Sequence, residues 1–568
     1  MNGKNKLLII AGLGMLPWLA ASAQQQDTTL VSTVVVENEY NPTVMDASKI
    51  NVLPKVEEPT VPKTHIDYST SIRPVASWNY QAMNPIVKDW TADAAYRGYL
   101  RAGYGNNGNV DAQLGYLWDI TKKDRLNVAA SLDGWNMEQR HLYDSDWMSR
   151  LYNTKVGLDY RHSFRNADIL LGGYYRSQVF NYMDLGPIVC VGEVASRSGE
   201  TSSSSSGTKQ HQTLANVYVG LNSMNEEALI QYKGEIGMNY FKQKYPTMVP
   251  VLFTDDSGSE TNLYVKGDLW KSFEEQSLGL NLEFNNYSYS MEDMENAISM
   301  EFNPYYKYEN DDWRIRFGAH ADWWSGIEDK VRFAPDVKVE YIFSDKYMLY
   351  AKAGGGNETK SMLDLTNITP YWNLHNNFIL PTYVSLDAAL GLKASPANGW
   401  WFNLTGGYQI RTNDMAWMIR EGYVGYCTGF VYGKAKVAYG SIELKYDYKD
   451  LFDLALKGTY YSWKMDEVMD QGWSDEFLMS LKPELEMNAE VGFKPIEGLR
   501  VNVGYEYVKR ASDMYDPINN LHAGADYALL KNVSIFAKVN NLLNQEYVRH
   551  DAYPAQKLNF LGGISIQF

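Results

Sequence analysis

The sequence ends with Leu558-Asn559-Phe560-Leu561-Gly562-Gly563-Ile564-Ser565-Ile566-Gln567-Phe568, a stretch in which two sets of side chains alternate. The even-numbered set is aliphatic, aromatic or glycine, whereas the odd-numbered set includes Asn559, Ser565 and Gln567. Because successive side chains of a strand point to opposite faces, this period of two predicts a β-strand with one apolar face. The strand would run to the terminal residue.

The same alternation recurs from about residue 98 onward, in segments near the roughly 9 to 11 residues of a tilted membrane strand. Clear examples are 278–285, 335–343 and 499–507. Their apolar residues fall on one face, and their opposite faces carry polar residues: Asn281, Glu283, Asp336, Lys338, Arg500 and Glu506. We expect the apolar faces to contact lipid and the polar faces to line a lumen.

The connections between these segments are uneven. Brief turns such as 122–124 and 344–346 are interspersed with long polar loops such as 183–210 and 357–380. A soluble sandwich would space its turns evenly, whereas short turns on one side and long loops on the other are typical of outer-membrane barrels. The sequence therefore predicts an all-β protein, a transmembrane antiparallel β-barrel of about 22 strands surrounded by outer-membrane lipid.

The N-terminal region differs from the rest. Lys4 and Lys6 precede an apolar run, and Ala21 and Ala23 precede Gln24, which is the pattern of a secretory signal cleaved before Gln24. Residues 1–23 are thus a predicted signal peptide, and the proline-rich residues 24–93 are a predicted short, extended periplasmic leader. The barrel is assigned to residues 94–568. No stretch offers the roughly 18 uncharged apolar residues that a spanning helix needs.

Composition excludes several function classes. The net charge of -16 disfavours a nucleic-acid partner, because binding phosphates requires clustered Lys and Arg. The eight histidines are dispersed, so we expect no enzyme, metal site or cofactor. Cys190 and Cys427 lack metal or redox spacing, and whether they pair stays open. The acidic stretch 255–260 is expected to be a solvated loop, and Gly354-Gly355-Gly356 a strand end or bend.

A second motif lies just before the terminal strand. The segment 536–547 reads Phe-Ala-Lys-Val-Asn-Asn-Leu-Leu-Asn-Gln-Glu-Tyr and resembles the penultimate-strand motif of TonB-dependent receptors, here of the Bacteroidota type. That resemblance implies the family's 22-stranded barrel. The terminal strand is similar to the signal by which the barrel-assembly machinery, a predicted partner, recognises its clients. Its residues would be Phe560, Ile564, Ile566 and Phe568.

The sequence departs from this family at its N-terminus. Family members carry a plug domain inside the barrel. That domain is larger than the stretch between Gln24 and the first predicted strand, so we expect no recognisable plug. The run Thr33-Val34-Val35-Val36 resembles a TonB box, the short strand that pairs with the energising protein.

A barrel of about 22 strands encloses a lumen wider than its side chains can fill. Three occupants are candidates: the leader, long loops folded inward, or a periplasmic or outer-membrane partner protein. The first functional hypothesis is a non-enzymatic barrel that acts in transport or as a membrane subunit of an envelope complex. The alternatives are a passive porin-like diffusion channel and a TonB-coupled transporter with a reduced plug.

Overall fold

The structure is a computed structural model that describes residues 96–568 apart from gaps at 141–145, 184–208, 226–227, 246–256, 293, 345, 359, 373, 375–378, 423–424, 450, 467, 469–473 and 551–552. The predicted signal peptide, the leader and the TonB-box-like run lie outside the described residues.

Twenty-two antiparallel strands form one sheet, in which each strand pairs with its neighbours along the chain. The strands are β1 (Gly98–Gly105), β2 (Val110–Asp119), β3 (Asp124–Arg140), β4 (Asp146–Ser163), β5 (Ala167–Asn181), β6 (Lys209–Ser223), β7 (Gln231–Gln243), β8 (Gly258–Phe273), β9 (Gln276–Tyr289), β10 (Ala297–Glu309), β11 (Trp313–Ser325), β12 (Lys330–Phe343), β13 (Tyr347–Asn357), β14 (Tyr383–Ala394), β15 (Trp400–Gly422), β16 (Gly425–Tyr448), β17 (Phe452–Asp466), β18 (Pro483–Ile496), β19 (Leu499–Arg510), β20 (Ile518–Leu530), β21 (Val533–Asn540) and β24 (Asn559–Gln567). A separate two-stranded hairpin, β22 (Val548–His550) and β23 (Tyr553–Pro554), lies between β21 and β24.

The terminal strand closes the barrel. β24 pairs with β21 on one side and with β1 on the other, in a register that runs from Tyr99 opposite Gln567 to Gly105 opposite Leu561. The backbone N–H groups of Arg97 and Gly98 donate to the carbonyl of Phe568 at 2.9 and 2.8 Å. The predicted 22-stranded antiparallel barrel is confirmed, and its last residue is part of the closing seam.

The two ends of the barrel differ as the loop lengths predicted. Turns such as 274–275 and 497–498 join strands at the end where β1 begins and β24 finishes. The long connections from β5 to β6 and from β13 to β14 start and finish at the opposite end. In outer-membrane barrels the short turns are periplasmic and the long loops face the exterior. The end of this barrel at which β1 begins is therefore the periplasmic end.

The outward surface is apolar and is bordered by aromatic pairs. Leu278, Phe302 and Ile442 are among its exposed residues. Near the short-turn end, Trp400 packs against Tyr446 with ring centroids 4.4 Å apart. Apolar bands of this kind, flanked by aromatic girdles, are typical of membrane barrels.

Tyrosines on the lumen face lie over glycines of the neighbouring strand. A Cβ added at Gly279 would stand 2.2 Å from Cζ of Tyr305, whose hydroxyl donates to Asp268 at 2.9 Å. Tyr439 covers Gly407 in the same way. Glycine is required there because any side chain would occupy the space of the tyrosine ring.

The described helical elements are short. They are a 3-10 turn (Asn106–Gly108), α1 (Met362–Ile368) and α2 (Asp475–Leu478), all in connections at the long-loop end. None of the helices in the described residues is long and apolar enough to cross a membrane.

Candidate functional site in the barrel lumen

One long connection folds into the barrel. We call residues 358–382, between β13 and β14, the lumen segment. It leaves the sheet after a register shift between Gly354 and Gly356, and Gly356 has φ +121°, which favours glycine. The predicted strand end or bend at these glycines is confirmed. The neck of the segment is closed by a hydrogen bond from the Glu358 N–H to the Thr382 carbonyl, at 2.9 Å.

Local hydrogen bonds explain why α1 forms within the lumen segment. Ser361 caps the helix, because its Oγ accepts from the Asp364 N–H at 3.1 Å. The Asp364 carboxylate in turn accepts from the Lys360 N–H at 2.8 Å, an arrangement close to a capping box. After the helix the chain folds back, and the Trp372 indole donates to Thr366 Oγ1 at 2.9 Å.

The apolar residues of the lumen segment pack against side chains of the barrel wall. Leu365 and Trp372 are 0% exposed. They belong to one cluster with wall residues of four strands and further residues of the segment: Leu214, Phe241, Met415, Trp417, Phe430, Tyr432, Met362, Ile368, Leu374, Ile379 and Leu380. Burying each large apolar side chain contributes roughly 1.5–3 kcal/mol, so the inward position is strongly favoured.

The segment extends across the mouth of the barrel. Tyr182 donates to the Trp372 carbonyl at 3.1 Å, and Gln212 donates to the Pro370 carbonyl at 3.2 Å. The Tyr371 ring stacks on Tyr553 of the β22–β23 hairpin, with centroids 3.7 Å apart. Starting from β13, the segment therefore contacts the residue after β5, β6 and the connection before β24, which lie on distant parts of the barrel wall.

An ion-pair cluster holds the front of α1. The Lys360 ammonium pairs with Glu301 and lies 3.6 Å from a Glu283 oxygen. Burial alone would lower the pKa of Lys360, but these two carboxylates outweigh it and raise that pKa. Lys360 is thus a cation held in place by acids of β9 and β10.

The expectation of a solvated acidic loop at 255–260 is wrong for Glu260. This residue is 1% exposed, lies in β8 and accepts a hydrogen bond from the Met362 N–H at 2.6 Å. The lumen segment covers it, because an inward-folded helix start presents backbone N–H groups that need acceptors. Asp255 and Asp256 lie outside the described residues.

A second ion cluster holds the base of the segment. Arg411 pairs with Glu358 at 2.6 Å and with Asp414 at 2.7 Å, while Lys482 Nζ lies 2.5 Å from Asp414. Asn413, at φ +52°, lies in a bulge of β15 that brings Arg411 and Asp414 together. Burial lowers the pKa of Lys482, and the Asp414 carboxylate opposes that effect.

The polar strand faces line the lumen, as the alternation predicted. Glu283 meets Lys360 of the lumen segment, and Asp336 pairs with Arg316 at 2.6 Å across β11 and β12. Glu506 pairs with Arg549 of the β22–β23 hairpin. Glu283 and Glu506 thus meet inward-folded connections, whereas Asp336 pairs within the barrel wall.

The motif before the terminal strand shapes a second inward connection. Asn541 and Asn544 adopt φ of +52° and +51°, which asparagine tolerates better than most residues. The Asn541 side chain donates to the carbonyls of Gln545 and Gln556, at 2.8 and 3.0 Å. This connection carries Arg549 and Tyr553 to their partners in the lumen.

Comparison with known proteins gives the family. A family model described as TonB dependent receptor-like, beta-barrel, matches residues 69–542. The chain belongs to this family. It is a barrel of the outer membrane, and the family is one of receptors and not of enzymes. No curated protein matches it.

Solved structures with the same fold are distant in sequence. The FrpB iron transporter from Neisseria meningitidis has a TM-score of 0.62 at 9% identity, over 84% of this chain and 82% of that one. The copper transporter OprC has a TM-score of 0.59 at 13% identity, over 83% and 80%. The siderophore receptor PirA from Pseudomonas aeruginosa has 0.57 at 11%, also over 83% and 80%.

The predicted site residues and the lumen site are separate. Phe560 and Ile564 are exposed on the outward face of β24, and Phe568, which directly follows this strand, is exposed as well. Sequence reasoning missed the lumen ion clusters, although the Ser361–Asp364 capping pattern inside a long polar loop could have indicated a buried helix. Within the part of the chain that the structure describes, no group of His, Cys, Asp or Glu could hold a metal ion.

Proposed function

We propose that this protein is a transport subunit of the outer membrane whose passage is closed by its own lumen segment and opened by other envelope proteins. The observation that carries the proposal is the buried segment 358–382, anchored by apolar packing and by two ion clusters. A passive porin keeps an aqueous channel, whereas this mouth is crossed by packed chain. Membership in a receptor family supports a role in transport over a purely structural one.

Conductance in planar bilayers tests the closed state. The purified protein is expected to show no large, steady openings. Replacing residues 360–380 by a short Gly-Ser linker should produce them, because the barrel wall remains while its occupant is removed. Removing residues 197–207 from another long connection is the matched control and should leave the channel closed. Large steady openings of the unmodified protein would contradict the proposal.

We further propose that opening is coupled through the TonB-box-like run Thr33-Val34-Val35-Val36. A short strand near an N-terminus could pair with an energising periplasmic protein by strand addition. Deleting residues 28–40 should abolish uptake, while deleting the equally long stretch 43–55 should reduce it less. Unchanged uptake after deletion of residues 28–40 would show that this run does not couple opening to the energising protein. A different partner would then have to open the barrel.

The remaining N-terminal assignments are also proposals. Cleavage after Ala23, with Ala21 as the second small residue, would give a mature chain that begins at Gln24. N-terminal sequencing of the membrane form checks this assignment. A mature N-terminus at any other residue would contradict it.

A further inference from the structure

Three carboxylates form a row across the lumen face of β9, β10 and β11. In the register of these strands Glu301 lies directly opposite Glu283 on one side and directly opposite Asp322 on the other. Like charges at directly opposite positions destabilise a sheet, so such a row requires cations. We call Glu283, Glu301 and Asp322 the acid row.

Lysines meet the first two acids of the row in the closed state. The Lys360 ammonium of the lumen segment pairs with Glu301 and lies 3.6 Å from one oxygen of Glu283. The other oxygen of Glu283 lies 3.9 Å from the ammonium of Lys266, whose side chain is 54% exposed. Lys360 is therefore the cation at the middle of the row.

Asp322 is the acid of the row whose charge is least compensated. Its side chain is 1% exposed, and neither of its oxygens has a hydrogen-bond partner in normal geometry among the described residues. Arg332, directly opposite on β12, lies 3.6 Å from Glu328 instead. His320 Nδ1 is 3.9 Å from the Asp322 carboxylate, and the Tyr383 hydroxyl faces it without forming a regular hydrogen bond. A buried charge in such surroundings is costly, which points to a cation that binds here in another state of the protein.

Movement of the lumen segment would uncover the whole row. Lys360 belongs to that segment and would leave with it. Gly356, just before the neck of the segment, lies over Asp322, since a Cβ added there would be 3.7 Å from Oδ2 of this acid. The side chains of Glu283 and Glu301 are already 29% and 18% exposed. In the open form the row would thus lose its central ammonium and face whatever passes through the lumen.

The spacing of the row selects the chemistry of the cation. Adjacent strands lie about 4.8 Å apart, so three carboxylates on successive strands spread over roughly 10 Å. Among the described residues no group of His, Cys, Asp or Glu could hold a metal ion, which disfavours a single compact cation. A linear organic cation with ammonium groups about 5 Å apart would place one ammonium at each carboxylate and donate charge-assisted hydrogen bonds to it.

We propose that the acid row binds a linear polyamine substrate in the open form, with one substrate ammonium in the place of the Lys360 ammonium; this rests on the proposed gating role of the lumen segment. Binding favours the open form, because the substrate supplies the cations that the row loses when Lys360 leaves. The closed state of the barrel does not depend on this substrate class.

Equilibrium dialysis of radiolabelled spermidine against the detergent-purified protein tests the competition with Lys360. Lys360→Met removes the competing ammonium from a side chain of similar length, so the affinity for spermidine should rise at least about tenfold, the contribution of one charged hydrogen bond. Lys457→Met removes an exposed lysine from the lumen face of β17 and should change the affinity by less than about twofold. Equal rises in the two variants would show a general loss of repulsion and would overturn the proposal.

The acids are tested in the Lys360→Met background. Asp322→Asn keeps the shape of the side chain and removes a poorly compensated buried charge, so the folded barrel should keep its heat-modifiable migration. Its affinity for spermidine should fall about tenfold. Glu490→Gln, at an exposed acid on the lumen face of β18, is the matched control and should lower the affinity by less than about twofold. Equal losses would show unspecific attraction and would also overturn the proposal.

Other ligands and the conductance measurement separate the remaining outcomes. Butylamine has a single ammonium group and should bind at least about tenfold more weakly than spermidine, so equal affinities would refute binding along the row. Binding of trilysine without binding of spermidine would assign the row to a basic peptide and overturn the polyamine assignment. Large steady openings of the unmodified protein would contradict the gating role itself. A closed protein whose Lys360→Met variant binds spermidine no better than the unmodified protein would refute the substrate class alone.

Discussion

Replacing Asp414 by Asn should release the base of the lumen segment. The Asp414 side chain is 4% exposed and lies between two cations, with Arg411 Nε at 2.7 Å and Lys482 Nζ at 2.5 Å. Asn has the same shape but no charge, so Lys482 would keep a buried ammonium without its carboxylate. Removing one partner of a buried ion pair costs about 3–5 kcal/mol.

The lower end of that range applies, because Arg411 would keep its second carboxylate, Glu358, at 2.6 Å. A loss of about 3 kcal/mol concentrated at the neck would raise the open population of the segment about a hundredfold. The barrel wall should be affected much less, because its strand ladder does not depend on this cluster.

Cysteine accessibility measures that population. In a background with Cys190→Ser and Cys427→Ser, Leu365→Cys places a thiol at a position that is 0% exposed when the segment is closed. An impermeant maleimide should label it slowly, and about a hundredfold faster when Asp414→Asn is added. Asn367→Cys, on the exposed side of the same helix, should label quickly in both backgrounds.

Two further variants separate the mechanism from general destabilisation. Asp453→Asn removes a carboxylate from the more exposed pair with Arg500 and should leave labelling of Leu365→Cys unchanged. Adding Lys482→Met to Asp414→Asn removes the stranded ammonium and should slow labelling again. If Asp414→Asn folds normally and labelling stays slow, the ion cluster does not hold the segment and the reasoning fails.

Three other predictions concern the barrel wall. Val503→Lys on the lipid face should lower the free energy of unfolding from bilayers by about 2–4 kcal/mol, and Asn502→Lys on the lumen face should lower it far less. Equal losses for the two variants would contradict the assigned faces. In the same assay Gly279→Ala should lower the free energy of unfolding by about 1–3 kcal/mol, because its Cβ would collide with the Tyr305 ring. The Cβ of Gly267→Ala meets no atom within 4 Å, so this control variant should lose less. A larger loss for Gly267→Ala would refute the role of Gly279 beneath the tyrosine. Phe568→Asp should lower the amount of heat-modifiable barrel in the outer membrane if Phe560, Ile564, Ile566 and Phe568 form the assembly signal, and a normal amount would reject that signal.

The barrel could be predicted from sequence because its determinants are local. The alternation in 278–285 or 558–568 decides which face of a strand meets lipid, and each strand reports it independently of the others. The lengths of the turns and loops then distinguished the periplasmic end of the barrel from its outer end. The same locality explains the correct expectation for Gly354-Gly355-Gly356, where three adjacent glycines bend a strand close to its end.

The lumen site could not be predicted in the same way. Its contacts join residues distant in sequence, such as Met362 with Glu260 and Tyr371 with Tyr553. Nothing in the acidic stretch 255–260 shows that Glu260 meets a helix start from another loop. The sequence offered three occupants for the lumen, and predicting which long loop folds inward required knowing which loop had an apolar side to bury.

The stability of the inward position of the lumen segment determines what is needed to open the proposed passage. Four fully or largely buried residues of the segment, Met362, Leu365, Ile368 and Trp372, would each contribute roughly 1.5–3 kcal/mol to the inward position. This burial, together with the two ion clusters, opposes the entropy that the segment would gain on opening. A partner or ligand can open such a segment only by binding the open form more tightly, and moving a population from 1:99 to 99:1 requires about 5.5 kcal/mol of differential binding. A closed barrel of this kind is therefore suited to opening by a protein that engages it, and conductance recorded with and without the native partner should separate that behaviour from spontaneous gating.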